Sequence, residues 1–285
     1  MALIARNRLL CTSMSRCLLI FPFFLIISAI LPAAADSGST VGPKSFNEQE
    51  ALAFSQGVIG KTIRDYSLTQ PDGTAVRVSD YNGKPIVFSL IYTSCYHICP
   101  TTTQHLAKVV RKAKAVLGQD SFTVITLGFD TQNDTPEAMR IFAAQQSVDV
   151  PGWLFVSANK DTITDLAKDL GFLFYPSPNG FDHLIQATIV DAKGTVYHQV
   201  YDMNFATPSL VEPLKALVFG TSESTPLITH IGNKIRLFCT VYDPANDRYR
   251  IDYSIFVGMA IGLSTLVAVL YLVVRQWLRQ KSGFS

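Results

Sequence analysis

The chain has 285 residues, of which 48% are hydrophobic and only 16% charged, and its mean hydropathy is +0.23. A soluble globular domain carries about 25% charged residues, so part of this chain is expected to lie out of water. Its 24 basic and 22 acidic residues leave a formal charge of +2 and its cysteines number five, which excludes a basic nucleic-acid surface, a disordered chain and a disulfide-dense mini-domain.

The N-terminal stretch carries Arg6, Arg8 and Arg16 and no acid before Asp36. An apolar run from Cys17 to Ile30 follows, then Leu31-Pro32-Ala33-Ala34-Ala35. A basic start, an apolar middle and an A-x-A ending describe a secretory signal peptide over 1–35; a retained anchoring segment is the alternative. Removing it takes away three arginines and no acid, so the remaining chain is nearly neutral. Residues 36–55 are small and polar and read as a linker.

From residue 56 to 220 strand and helix signals alternate. Pro71-Asp72-Gly73 separates two short extended stretches, which predicts a hairpin. Ile86 to Ile91 is a continuous apolar run, as a strand buried on both faces requires. Leu106, Val109, Val110, Ala113, Val116 and Leu117 share one helical face in a helix from Pro100, ended by Gly118. Phe122 to Phe129 is a second buried strand, and Asp134-Thr135-Pro136-Glu137 opens a helix, with Asp134 as its expected cap. Trp153 to Ser157 reads as a strand, and Ile163, Leu166, Ala167 and Leu170 as a helix face closed by Gly171. Ala187–Val190 and Thr195–Tyr201 flank the turn Asp191-Ala192-Lys193-Gly194, and Pro208 to Phe219 closes with a helix. This order predicts an α/β layered domain of roughly 165 residues.

A juxtamembrane segment is expected over 221–252. Ile255 to Val274 then contains no charged residue. About 20 apolar residues span the ~30 Å hydrocarbon core, so a single transmembrane helix is predicted over 253–275. Arg275, Arg279 and Lys281 follow it, which places the tail 276–285 in the cytoplasm and the preceding domain outside it.

Cys95, Cys99 and Cys239 remain after signal removal. The first two lie in Tyr92-Thr93-Ser94-Cys95-Tyr96-His97-Ile98-Cys99-Pro100, between a buried strand and a helix start. A helix N-terminus offers unpaired N–H groups and a partial positive charge, which favour the thiolate that attacks disulfides and binds metals. Two such sulfurs close on one soft ion or on each other. As a plain staple, a loop of about five residues yields only ~2 kcal/mol against ~4.7 for a long one.

In its motifs the chain resembles the Sco/SenC family, the copper-handling thioredoxin-like proteins of cytochrome oxidase assembly. The C-x-x-x-C-P motif appears as Cys95 to Pro100, the strand-end acid and D-T-P-E element as Asp130 and Asp134 to Glu137, and the later D-H as Asp182-His183. The resemblance runs from about residue 56 to 220. It implies a thioredoxin-like fold, a mixed central sheet flanked by helices. It implies copper as the bound metal, with Cys95, Cys99 and His183 as ligands, and Cys95 and Cys99 as a redox-active pair. Cu(I) accepts two thiolates and one imidazole, whereas structural zinc wants a fourth protein ligand. The implied role is delivery of Cu(I) to the CuA site of cytochrome c oxidase subunit II, or reduction of its thiols. Other copper chaperones or thiol reductases are the further expected partners. The expected location is a bacterial inner membrane with the domain in the periplasm. The rival reading is a thiol–disulfide oxidoreductase or redox sensor that uses the same pair without metal.

The chain departs from the family between the cysteines, where Tyr96 and His97 replace a proline and an acid. His97 is either an extra ligand or an exposed loop histidine. His105 is expected in solvent, His198 and His230 carry no motif, and Asp182 is a candidate to orient His183. Cys239 is an odd thiol that relays copper or electrons, pairs with another chain or packs as a small residue.

Overall fold

A computed structural model describes residues 46–220, 240–251 and 253–282. The signal segment, most of the linker, His230 and Cys239 lie outside the described residues. Five strands form the main sheet in the order β5-β4-β3-β8-β9. These are β3 (Ile86–Ile91), β4 (Thr123–Gly128), β5 (Trp153–Val156), β8 (Gln186–Val190) and β9 (Val196–Tyr201). β3–β4 and β4–β5 pair in parallel, whereas β3–β8 and β8–β9 are antiparallel. Every residue of β3, β4 and β8 is buried, as strands covered on both faces demand.

Helices cover both faces. Phe88 and Ile125 face one core with Met139 and Phe142 of α3 (Pro136–Gln145) and Ile163 and Leu166 of α4 (Lys160–Asp169). Val87, Val124 and Ile189 face the other, with Leu106, Val110 and Ala113 of α2 (Ile98–Leu117) and Leu210 and Leu214 of α5 (Thr207–Gly220). This is the thioredoxin-like mixed α/β architecture that the resemblance implies. α2 connects the parallel pair β3 and β4, so its N-terminus stands at the C-terminal end of β3, beside the cysteines.

The predicted first hairpin is present as β1 (Ser67–Thr69) and β2 (Ala75–Arg77). Three features depart from expectation. Residues 48–55, expected as the end of the linker, belong to α1 (Glu48–Gln56), capped by the Asn47 side chain, which accepts from Glu50 N. Its buried positions are only Ala51 and Ser55, so no large apolar stripe announces it. Between α4 and β8, β6 (Phe174–Ser177) and β7 (Gly180–His183) form a separate antiparallel hairpin. Pro176 and Pro178 weaken its strand signal, because proline donates nothing to a ladder.

The third lies in the juxtamembrane segment, where β10 (Thr240–Asp243) and β11 (Arg248–Ile251) form another hairpin. Its turn residue Asp247, at a φ of 43°, accepts from Lys112 of α2, from Thr207 Oγ1 at 2.7 Å and from the Tyr242 hydroxyl at 2.9 Å. Tyr249 packs against the core formed by α2 and α5. After it comes α6 (Ser254–Ser282), in which Phe256–Trp277 is long and apolar enough to cross a membrane.

α1 lies against the end of α4. Gly171 there has a φ of +70°, and a Cβ on it would stand 2.7 Å from Val58 Cγ2 and 2.8 Å from Ser55 Cα. Gly171→Ala therefore combines left-handed strain with overpacking and is expected to cost roughly 2–5 kcal/mol in urea unfolding. A loss within experimental error would show that α1 does not pack there in solution.

Candidate metal and thiol site

β3 runs out at Ile91, and the chain turns through Tyr92 to His97 before α2 begins. The first N–H groups of a helix have no partner within it. Here a sulfur supplies one: Cys99 N donates to Cys95 Sγ at 3.3 Å. The neighbouring Cys99 thiol, the His97 backbone and the Tyr92 hydroxyl also favour its thiolate. The donated Cys99 thiol leads these in drawing Cys95 down from 9.0 to about 4, against the cost of burial. The same bond, followed by burial, pushes Cys99 up. At neutral pH the pair is one thiolate backed by one thiol. Both cysteines are free; Cys95 is half-buried and Cys99 only 3% exposed.

Tyr92 links this pair to the β6–β7 hairpin. Burial pushes its hydroxyl up to about 12, so it stays protonated beside Cys95. Its ring centroid lies 5.3 Å from Phe181, 5.4 Å from Phe129 and 6.2 Å from the imidazole of His183. The hairpin reaches it at Gly180, whose φ is +114° and where a Cβ would stand 2.8 Å from the Tyr92 hydroxyl. Only glycine fits both the backbone and the gap.

His183 sits edge-on to Phe129 at 5.5 Å and 5.1 Å from Phe172. Its Nδ1 is 2.7 Å from the carbonyl of Leu184. A carbonyl only accepts, so Nδ1 carries the proton and Nε2 keeps its lone pair. Burial lowers the imidazole pKa, which favours the neutral, ligating form. Asp182 does not orient this ring. Side chains alternate along β7, so the neighbours point apart, and Leu184 takes the place expected for Asp182.

Asp134 also has a different place from the one expected. Thr135 caps α3, its Oγ1 accepting from Ala138 N, with Pro136 in the first turn. Asp134 is 3% exposed and accepts from Thr93 N and Thr93 Oγ1, both at 2.7 Å, and from Asp130 N at 2.8 Å. It ties the end of β4 to the cysteine loop. His105, expected in solvent, is half-buried: its Nε2 lies 2.8 Å from the Phe205 carbonyl and its ring stands edge-on to Phe205. His198 lies on β9 away from these groups. His97 is exposed, as is Tyr96 at 94%.

The structure thus brings Cys95 and Cys99 together and sets His183 against the ring of Tyr92. Among the described residues no three His, Cys, Asp or Glu side chains are gathered closely enough to enclose a metal ion. The donors present, two sulfurs and a neutral imidazole nitrogen, are those a soft monovalent ion accepts. Sequence reasoning missed Tyr92, the Leu184 carbonyl and the aromatic set Phe129, Phe172 and Phe181. Only the aromatic character of the motif's first residue pointed to any of them.

A family model described as SCO1/SenC matches residues 58–218, more than half of the chain. The SCO1 protein homolog of Bacillus subtilis (strain 168) is 25% identical over 124 residues, which cover 43% of this chain and 63% of that one. The chain spans less than two thirds of the length of the curated relatives it matches. A solved structure of a proposed electron transfer protein from Aquifex aeolicus VF5 is 28% identical, with a TM-score of 0.53, and covers 58% of this chain and 97% of its own. A SCO1/SenC family lipoprotein from Bacillus anthracis str. Ames shares the fold at 22% identity and a TM-score of 0.50, covering 55% of this chain and 93% of its own.

Two outcomes test this geometry. Alkylation of Cys95 by iodoacetamide is expected to stay near its maximum from pH 8 to about pH 5 and to fall around the thiolate pKa of about 4, with Cys99 unlabelled. A midpoint near the ordinary value of about 8.5 would remove the thiolate. Asp134→Ala orphans the donors of Thr93 and Asp130 and should cost roughly 2–4 kcal/mol in urea unfolding.

Proposed function

Because this chain belongs to the SCO1/SenC family, we propose that it is a copper-binding protein of cytochrome c oxidase assembly. In this reading Cys95, Cys99 and His183 hold Cu(I) as cargo, and the acceptor is the CuA site of oxidase subunit II. The observation that carries the reading is the unequal pair: a half-exposed thiolate, a buried thiol behind it and a neutral imidazole one tyrosine away.

Delivery proceeds by ligand exchange. A partner's thiolates displace Cys99 and Cys95 one at a time, the accessible Cys95 keeping contact with the ion until the partner holds it. Closing all three donors on one ion requires His183 and the cysteines to draw together. The β6–β7 hairpin pairs with no strand of the main sheet. A cleft of about 490 Å³, lined by Phe129, Asp130, Lys160, Phe174 and Phe181, flanks it and gives it room.

The same pair supports thiol reduction as a second activity. Cys95 thiolate attacks one sulfur of a partner disulfide, forming a mixed disulfide and expelling the other partner sulfur as thiolate. Cys99 gives its proton to that thiolate and then attacks Cys95 Sγ, expelling the second partner sulfur. The partner gains two electrons, and Cys95 and Cys99 end as a disulfide. The half-exposed nucleophile and buried resolving thiol favour this order.

The reading extends to placement. Residues 1–35 act as the export signal, 36–55 lead into the domain at 56–220, 221–252 descend to the bilayer and 253–275 cross it. Arg275, Arg279 and Lys281 hold the tail in the cytoplasm of a bacterial cell, with the site in the periplasm. The long apolar window of α6 supports this placement.

Copper content of the full chain, purified in detergent under reducing conditions, tests the proposal. One Cu(I) per chain is expected, absent from Cys95→Ala and Cys99→Ala. His183→Ala should weaken Cu(I) binding by more than the roughly 10–100-fold that an outer-shell partner contributes, while sparing disulfide exchange. No Cu(I) in the wild type, or an unchanged affinity in His183→Ala, overturns the copper reading.

A further inference from the structure

One side chain of the cysteine loop has no assigned work. His97 occupies the N-cap of α2, a position that favours Ser, Thr, Asp or Asn, yet its side chain makes no capping bond. Its backbone is held: the carbonyl accepts from Thr101 N and Thr101 Oγ1. The imidazole is exposed, and among the described residues no hydrogen bond or ring contact engages it. A fixed backbone therefore carries a free imidazole within a side chain's reach of the accessible sulfur.

The four donors divide by depth. Cys99 is 3% exposed, and His183 is half-buried among Phe129, Phe172 and Tyr92 with its Nδ1 tied to Leu184. Cys95 is half-exposed and His97 exposed. An ion arriving from outside meets Cys95 and His97 before it meets the inner two. One leaving inward ligands for a partner passes them last.

We propose that His97 is the hand-over ligand for Cu(I): its imidazole and the Cys95 thiolate form an outer sulfur–nitrogen pair that takes the ion before Cys99 and His183 close on it, and holds it again during release. The inference rests on the copper reading above. Thiolate and imidazole both suit copper, so two-donor contact is kept at every stage. No electron moves and the ion remains Cu(I); on loading, bonds to Cys99 and His183 form as the bond to His97 breaks, and release reverses this. Because His97 is absent from the closed three-donor set, it acts on the rate of exchange and not on the final affinity.

The experiment uses the full chain in detergent, loaded with Cu(I). Transfer to excess bicinchoninate is followed by stopped-flow absorbance, and affinity is measured separately by equilibrium competition with the same chelator. His97→Ala is expected to slow transfer by roughly tenfold, within the range of metal-site partner losses, without a comparable loss of affinity. His97→Met, which restores a soft donor that takes no proton, should recover the rate; His97→Asn should not. An unchanged rate in His97→Ala makes His97 a solvated loop residue and ends the proposal. A fall in affinity as large as that of His183→Ala makes it a resident ligand and also ends it. If the wild type takes up no Cu(I), the copper reading itself fails, a result distinct from wild-type loading with an unaffected His97→Ala.

Discussion

A sulfur at the mouth of α2 stands where helices more often place an oxygen. The free N–H groups of the first turn need an acceptor, and Cys95 Sγ provides it for Cys99 N while also receiving the Cys99 thiol. That single arrangement fixes which cysteine is charged, which is protonated and which faces outward. It also makes the chemistry inseparable from the fold, because the group that satisfies the helix is the group that reacts. Helix capping by a thiolate leaves the backbone partly unsatisfied whenever the sulfur bonds elsewhere, so partner attack or metal capture is felt along α2.

Around that sulfur the protein is stiff on one side and loose on the other. Asp134, buried and triply bonded, welds the β4 end to Thr93. Against it the aromatic block of Tyr92, Phe129, Phe172 and Phe181 is dispersion packing without polar ties between rings. The hairpin that carries His183 leans on this block and contributes no strand to the main sheet. Sulfurs fixed at a helix mouth, beside an imidazole carried on a hairpin outside the main sheet, suit the proposed closing on cargo and its release.

Much of the framework was legible from residue pattern. Ile86–Ile91 and Thr123–Gly128 announce themselves by unbroken apolar runs, α2 by its spaced Leu106, Val110 and Ala113, and the turn at Gly194 by its neighbours. The cysteine pair was legible from spacing and setting. The β6–β7 hairpin was not, since Pro176 and Pro178 interrupt strands whose pairing is set by a tertiary contact at Gly180. α1 hid because Ala51 and Ser55 make its inner face small. Asp134 and Asp182 differ from expectation for two reasons: Thr93, the partner of Asp134, lies 41 positions away, and the His183 proton goes to a backbone carbonyl, that of Leu184, which side-chain pattern does not reveal. Long-range and backbone partners leave no periodic trace.

The clasp at Asp247 carries a mechanical consequence. It grips α2 at Lys112, fourteen positions from Ile98, or about 20 Å along the helix at 1.5 Å per residue. Ile251, the end of the same hairpin, lies just before α6. A domain hung on a loose leash tumbles over the surface and offers its thiols in every direction. One gripped through Lys112, on the helix that bears them, behaves as a short lever: in the anchored arrangement proposed above, the reactive tip would keep a set altitude above its support, and partners would be selected by their stature as much as by their chemistry.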